Sequence, residues 1–265
     1  MKATVFLGGG RITGALAAGL RLAGYERAIV VYDRNPEKLR ALRRESRVEV
    51  ARDLKSAVGR AEMLVVAVRP ASVAEMLAEV TACGAPAPRL CVSLAAGVPL
   101  RNLRGWLGHP AHWVRAMPSP VCRVGRGLTA LSFERDVTGS ERRLVRSFFA
   151  RVGATLEISE KHFDAFTAAY SSSHGYHALT TLAKAGQEAG LDRETALTAA
   201  AHALSDGIFY WRESGQHLED LLREAVTPGG IAAATMTAME KSGYARVVRS
   251  GIRAGIKQAR RNAKR

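Results

Sequence analysis

The first half of the chain alternates short apolar runs with segments of helical periodicity. The apolar runs predict strands at residues 3–7, 28–32, 48–50, 63–68, 90–94 and 111–116. Between them, apolar residues recur at helical spacing, most clearly over residues 11–22. This alternation predicts an α/β fold in which a parallel, doubly wound sheet carries helices on both faces.

The pattern changes to helices alone near residue 160. Before that point, two further strands are predicted at residues 127–133 and 154–158, with a helix over 140–152 between them. Helices then follow at residues 160–190, 192–215, 217–226, 230–243 and from 246 to the end. Because this alanine-rich half cannot cover its own apolar faces, we expect it to pair with a second copy as a homodimer or a higher homo-oligomer.

Gly8, Gly9 and Gly10 stand between the first predicted strand and the first predicted helix. Strand, glycine turn and helix are the context of a dinucleotide-binding fingerprint. Glycine lets the backbone approach a pyrophosphate closely, and the helix start at Arg11 and Ile12 offers N–H groups to its phosphates. The third fingerprint position is Thr13, where glycine or alanine packs best. An ordinary strand-to-helix turn is therefore the alternative.

Asp33 ends the second predicted strand and lies twenty residues after Thr13. An acidic residue there accepts hydrogen bonds from the adenosine ribose of NADH, whereas an adjacent arginine accommodates the 2′-phosphate of NADPH. Since Arg34 is that neighbour, the pair leaves NADH and NADPH open as cofactors. A surface turn with two solvated charges is the alternative.

Three residues follow the strands predicted at 63–68 and 90–94, at the edge where ligands of such sheets bind. We interpret Arg69, Pro70 and Ala95 as the nicotinamide side of the same site. Their spacing does not exclude a plain strand stop at Pro70 or a tight turn at Ala95.

The second half contains one segment with the chemistry of an anion site. Thr227 supplies a hydroxyl, and Gly229 and Gly230 precede the helix start at Ile231 and Ala232. Unpaired N–H groups and the positive end of the helix dipole meet there, which suits a carboxylate. Thr227 as a simple N-cap is the alternative.

Residues 170–177 are polar within an otherwise apolar helical pattern and include three serines and two histidines. They predict either a wall of the site or a polar seam between subunits. His174 is the candidate proton donor, because imidazole titrates near neutral pH. A histidine with a purely structural role is the alternative.

Composition narrows the class of protein. The 265 residues are 47% hydrophobic and include three cysteines without metal-type spacing. We therefore expect a cytoplasmic protein with reduced thiols and no metal site. No segment reaches the roughly 20 apolar residues of a membrane span.

The formal net charge is +15, and part of it is concentrated at the end of the chain. Nucleic acid is disfavoured as a partner, because aromatic residues for base stacking are sparse there. The basic residues of this end are Arg246, Arg249, Arg253, Lys257, Arg260, Arg261, Lys264 and Arg265.

Together these stretches resemble the pyrroline-5-carboxylate reductase family, which catalyses the last step of proline biosynthesis. The resemblance runs nearly end to end and is carried by Phe6-Leu-Gly-Gly-Gly-Arg-Ile12, Val65-Val-Ala-Val-Arg-Pro70, Ser93-Leu-Ala-Ala-Gly-Val98, Val114-Arg-Ala-Met-Pro118, Asp164-Ala-Phe-Thr-Ala168, Val226-Thr-Pro-Gly-Gly230 and Glu240. It implies a Rossmann-type dinucleotide-binding domain, placed at residues 1–158, and an all-helical dimerisation and substrate domain, placed at 159–265. It also implies hydride transfer from NADPH or NADH to the C=N carbon of a small cyclic imino acid, whose carboxylate lies on the loop 227–232.

The chain departs from the family pattern where the family places a threonine against the imine nitrogen. Ala232 stands there and has no hydroxyl. The resemblance then implies that protonation needs another donor, for which His174 is the candidate, or a substrate that is already an iminium. A non-catalytic NAD(P)-binding dimer that acts as a sensor or scaffold is the alternative function.

Overall fold

The computed structural model describes residues 2–86, 88–108 and 110–263. Within these residues, eight strands form one sheet. In chain order they are β1 Ala3–Leu7, β2 Ile29–Tyr32, β3 Glu49–Val50, β4 Ala61–Val66, β5 Leu90–Ser93, β6 His112–Met117, β7 Gly127–Phe133 and β8 Gly153–Glu157. The α-helices of the same residues are α1 Arg11–Leu22, α2 Pro36–Ser46, α3 Leu54–Arg60, α4 Val73–Ala82, α5 Leu100–Leu107, α6 Gly139–Ala150, α7 Glu160–Ala169, α8 Ser173–Glu188, α9 Arg193–Ser214, α10 Leu218–Ala225, α11 Ile231–Lys241 and α12 Tyr244–Asn262.

The sheet has the strand order β3-β2-β1-β4-β5-β6-β7-β8. β1 pairs in parallel with β2 on one side and with β4 on the other. The strand order therefore reverses beside β1, since β2 and β3 extend the sheet to one side and β4, β5 and β6 to the other. The carboxyl ends of β1, β2, β4 and β5 therefore lie at one edge of the sheet, where open α/β sheets bind ligands. The predicted fold class is confirmed.

The last two strands run the other way. β7 is antiparallel to β6 and parallel to β8, a detail that the sequence pattern left open for the two strands after residue 116. The connection from β6 to β7 contains only a short 3₁₀ segment, Pro120–Val124. A parallel return needs a crossover of a dozen or more residues, usually with a helix, so this connection is too short to make one.

Buried side chains cover both faces of the central strands. Phe6 of β1 packs in one cluster with Leu20 and Phe148, while Val5 and Leu7 of the same strand belong to a cluster on the opposite face. The side chains of Val5, Phe6 and Leu7 are all fully buried. Burial on both faces explains why apolar residues occupy the successive positions 5 to 7 of this strand.

The described residues divide into two compact units. One comprises the chain up to Ala168 together with the segment from Gly255 onward, and the other is Ala169–Ala254. The first unit includes the end of α12, because Asn102 donates from Nδ2 to the carbonyl oxygen of Ala263 at 2.7 Å. The functional boundary predicted between residues 158 and 159 stays a prediction.

The helix predicted over residues 160–190 is in fact two helices, α7 and α8, with a break after Ala169. Ser171 accounts for part of the break, since its Oγ accepts a hydrogen bond from the backbone N–H of Ser173 at 3.3 Å. Serine side chains that bond to nearby backbone compete with helical hydrogen bonding.

In the second unit, α8 packs against α9. Few side chains of this unit are buried, among them Ala183, Ala196 and Ala200. No helix in the described part of the chain is both long enough and apolar enough to cross a membrane.

Candidate functional site

The turn between β1 and α1 requires glycine at its first position. Gly8 has φ +113°, and a Cβ there would stand 2.8 Å from the backbone carbon and oxygen of Ala67. The N–H of Gly8 donates to the carbonyl oxygen of Tyr32 at 2.8 Å. The turn is thus tied to β2 on one side and pressed against the end of β4 on the other.

The start of α1 is open to an anion. Gly10 is the N-cap in extended conformation, and no side chain caps the helix. A Cβ at Gly10 would meet nothing within 4 Å, so its absence leaves room for a ligand to approach the backbone. First-turn N–H groups without a cap, at the positive end of the helix dipole, suit phosphate.

Thr13 occupies the third fingerprint position for a local reason. Its side chain is fully buried, and its hydroxyl donates to the carbonyl oxygen of Gly8 at 2.6 Å. The threonine therefore fixes the glycine turn from within the helix, although the fingerprint usually has glycine or alanine here.

Asp33 places a carboxylate beside the turn at the end of β2. Its Oδ2 accepts the N–H of Gly9 at 2.7 Å, and its Oδ1 accepts the N–H of Asn35 at 2.8 Å. The Nζ of Lys38 lies 3.8 Å from Oδ2, and the Asp33 side chain is only 13% exposed. These bonds hold the carboxylate in one orientation.

Arg34, the next residue, pairs with two carboxylates of α4. Its Nη2 donates to Oε1 of Glu75 at 2.9 Å and also to Glu79. The hydrogen bond to Glu75 and the negative charges of Glu79 and Glu75 raise the pKa of the Arg34 guanidinium above its ordinary value. This side chain is 55% exposed.

These groups line a cleft of about 720 Å³ at the carboxyl ends of β1, β2 and β4. Five predicted site residues are on its wall: Gly8, Gly10, Asp33, Arg34 and Arg69. Other predicted residues, namely Gly9, Arg11, Ile12, Pro70 and Ala95, are not among the described lining residues and stay predictions. Sequence reasoning missed the remaining wall, which is formed by Asn35, Pro36, Glu37, Lys38, Ala67, Val68, Ser72, Glu75 and Met76.

Ala95 belongs to a loop after β5 that the end of α12 holds. Ala95 is 3% exposed. Asn262 donates from Nδ2 to the carbonyl oxygen of Ala96 at 3.2 Å. Gly97 has φ +77°, and a Cβ there would lie 2.3 Å from the carbonyl oxygen of Ala259. Glycine at position 97 is thus what permits this close approach.

In the second unit, the loop before α11 leaves its helix start uncapped. The N–H of Gly230 donates to the carbonyl oxygen of Thr227 at 2.9 Å, and Gly229 has φ +77°. Gly230 is the N-cap of α11, and no side chain caps it. Thr227 is therefore not the N-cap, which removes that alternative. Ile231 at the helix start is 88% exposed.

His174 lies in the first turn of α8 and is exposed in the chain. The cations from Arg246 to Arg261 lie on α12 and are exposed. Lys264 and Arg265 lie outside the described residues. Among the residues that the structure describes, no three His, Cys, Asp or Glu side chains are grouped as metal ligands.

Comparison with known proteins shows which family the chain resembles. Residues 160–262 match the family model described as pyrroline-5-carboxylate reductase dimerisation, and residues 4–97 match the model described as NADP oxidoreductase, coenzyme F420-dependent. The pyrroline-5-carboxylate reductase of Mycobacterium leprae is 31% identical, over 96% of this chain and 94% of that protein. That of Mycobacterium tuberculosis is 32% identical with the same coverage. The chain belongs to the pyrroline-5-carboxylate reductase family.

Solved structures of the pyrroline-5-carboxylate reductase family share the fold. The enzyme of Streptococcus pyogenes has a TM-score of 0.88 at 24% identity, over 97% of this chain and 98% of that one. The Plasmodium falciparum pyrroline carboxylate reductase, solved with NADP bound, has a TM-score of 0.87 at 22% identity, over 99% and 98%. At these identities the likeness concerns the fold alone. The predicted family, and with it the predicted class of enzyme, is confirmed.

Proposed function

We propose that the protein is an NAD(P)H-dependent reductase that converts 1-pyrroline-5-carboxylate to L-proline or reduces a related cyclic imino acid. The observation that carries this proposal is the cleft beside Gly8 and Gly10, with Asp33 on its wall, in a member of this family. When bound there, the nicotinamide coenzyme supplies the hydride.

In this proposal, different residues of the chain bind the three parts of the coenzyme, namely the pyrophosphate, the adenosine ribose and the nicotinamide. The backbone from Gly8 to Ile12 holds the pyrophosphate, because α1 begins there without a cap and Gly10 leaves the approach open. Asp33 and Arg34 face the adenosine ribose. Arg69, Pro70 and Ala95 form the nicotinamide side.

The loop before α11 is the proposed carboxylate site. Thr227 offers its hydroxyl. The uncapped N–H groups of the first turn of α11, which begins at Ile231, lie at the positive end of the helix dipole and suit a negative charge. Ala232 contributes no side-chain donor. The proposed role of the protein is to hold the imine carbon in near contact with the hydride donor, since such positioning supplies a large share of the acceleration in reactions of this type.

Protonation of the product amine is assigned to His174. Imidazole is the side chain whose ordinary pKa suits proton donation near neutral pH. Another residue must supply the proton because Ala232 has no hydroxyl.

The proposed assembly is a homodimer or a higher homo-oligomer built by the helical domain, residues 159–265. Four consecutive side chains near the end of α9, residues 208–211, are 42% to 66% exposed. Successive helical residues point in different directions around the axis, so this end of α9 is apolar on nearly every side. A helix of that kind is normally buried, and a second copy would bury it.

The proposed location is the cytoplasm. All three cysteines are free thiols. Burial raises the pKa of the Cys122 thiol to about 11 and raises that of Cys91 further. Unpaired thiols kept protonated by burial are inert and fit a reducing compartment.

A non-catalytic NAD(P)-binding dimer is the second candidate, and Ala232 is the residue that favours it. Following the oxidation of NADH and NADPH with a panel of cyclic imine carboxylates separates the two functions. Turnover with one of these imines supports the reductase. Tight binding of coenzyme without turnover of any of them would leave the sensor.

A further inference from the structure

We infer that the cleft selects NADH over NADPH, and that Asp33 is the residue that makes the choice. This inference rests on the proposed function and adds the identity of the coenzyme. It concerns the place where the two coenzymes differ, which is a ribose hydroxyl in NADH and a phosphate in NADPH.

The hydrogen-bonding state of Asp33 fits a hydroxyl. An ionised carboxylate only accepts hydrogen bonds and has about four acceptor positions. The N–H groups of Gly9 and Asn35 occupy one position on each oxygen. The positions that are left can accept the hydroxyls of a ribose diol. A phosphate has no proton to donate to them and brings a second negative charge to a side chain that is only 13% exposed.

Arg34 is the residue that would receive a 2′-phosphate, and its surroundings oppose that role. Glu75 and Glu79 both bind its Nη2, so two carboxylates surround one guanidinium. A phosphate that approached Arg34 would also approach these two negative charges. Like-charge neighbours of this kind reduce affinity for the wrong ligand.

The charges on the cleft wall are balanced. Three cations line it, Arg34, Lys38 and Arg69, and so do three anions, Asp33, Glu37 and Glu75. Of the cations, Lys38 lies 3.8 Å from Asp33, and Arg34 is paired as described. A phosphate-binding wall needs an excess of cations, which this wall does not have.

The test is calorimetric titration of the full chain with NADH and with NADPH, without substrate. We expect NADH to bind roughly tenfold or more tightly than NADPH. Equal affinity, or tighter binding of NADPH, would overturn the inference while leaving the proposed reductase in place. If neither coenzyme bound, the inference and the proposed function would fail together.

Two variants test whether Asp33 causes the preference for NADH over NADPH. Asp33→Asn removes the charge while keeping the size of the side chain, and should narrow the ratio of the two dissociation constants. Glu37→Gln is the matched comparison, since it also removes one negative charge from the wall but leaves the carboxylate of Asp33 in place, and it should narrow the ratio less than Asp33→Asn does. Equal narrowing in both variants would contradict the role of Asp33.

The double variant Glu75→Gln, Glu79→Gln frees Arg34 without touching Asp33. It should improve NADPH binding and leave NADH binding nearly unchanged, a result that does not depend on Asp33→Asn folding correctly. No gain in NADPH affinity would contradict the part assigned to Glu75 and Glu79.

Discussion

At the scale of single residues, Gly8 and Gly10 serve different ends although they are two positions apart. Gly8 has a positive φ and no room for a Cβ beside Ala67, so the fold itself requires it. Gly10 has φ −80° and open space around it. Nothing in the fold requires glycine at position 10, and the proposed function gives it a reason, which is the close approach of the coenzyme pyrophosphate.

This difference predicts that an alanine at position 8 mainly lowers stability, whereas an alanine at position 10 mainly weakens coenzyme binding. Gly8→Ala should lower the free energy of unfolding by about 2–4 kcal/mol, because of the strained φ and the clash with backbone. Gly10→Ala should cost about 1 kcal/mol or less and still weaken coenzyme binding by roughly tenfold. Chemical denaturation and calorimetry measure the two effects. If Gly10→Ala bound coenzyme as the wild type does, the pyrophosphate site would be misplaced.

A second prediction at this scale concerns the proton donor. His174→Gln should lower kcat by about 10²-fold, since general acid help is typically worth that much. Adding Ala232→Thr should restore most of the loss, because it returns a hydroxyl to the start of α11. Ala233→Thr, one residue further on, is the control and should restore nothing. A His174→Gln variant as fast as the wild type would remove His174 from the mechanism.

At the scale of elements, the end of α12 supports the loop after β5. Asn262 holds the carbonyl of Ala96, and Asn102 at the start of α5 holds the carbonyl of Ala263. The end of the last helix thereby fixes a loop within the same compact unit. The loop includes Ala95, which the proposal places at the nicotinamide.

Removing this support should affect stability and coenzyme binding together. Asn102→Ala should lower the free energy of unfolding by about 1 kcal/mol, the usual value of one hydrogen bond, and should raise the dissociation constant for coenzyme. Arg101→Ala is the control, because Arg101 is the exposed neighbour on the same helix. If both variants bound coenzyme equally well, α12 would have no role in holding the loop for its ligand.

Local patterns predicted most of these elements, and contacts between distant residues explain what they missed. Asn35 is the N-cap of α2, and its Oδ1 accepts the N–H groups of Glu37 and Lys38, an arrangement that asparagine before proline favours locally. Arg34 could not be assigned in the same way. Its partners Glu75 and Glu79 lie 41 and 45 residues away, so their approach depends on packing that no local pattern records.

At the scale of the whole molecule, the second unit leaves large apolar side chains uncovered. Phe209 is 66% exposed and Trp211 is 42% exposed. Single exposed apolar residues are normal, but a contiguous cluster marks an interaction site. In a family whose model carries the name dimerisation, the proposed partner is a second copy of this chain.

Charge at this cluster should therefore separate the subunits. Phe209→Glu together with Trp211→Glu should shift the protein from an oligomer to a monomer, as measured by sedimentation equilibrium. Arg212→Glu is the control, since it changes the charge of the neighbouring exposed position and should leave the assembly intact. An oligomer that survives the double variant would place the interface elsewhere.

The central claim is that the cleft at Gly8 holds a reduced coenzyme whose hydride passes to the C=N carbon of a cyclic imino acid. Its most direct test is incubation of the protein with 1-pyrroline-5-carboxylate and NADH that carries deuterium at the transferred position. The account predicts proline with one deuterium on the former imine carbon, as seen by mass spectrometry and NMR. Bound coenzyme with no labelled proline, or with no labelled product from any related cyclic imino acid, would contradict it.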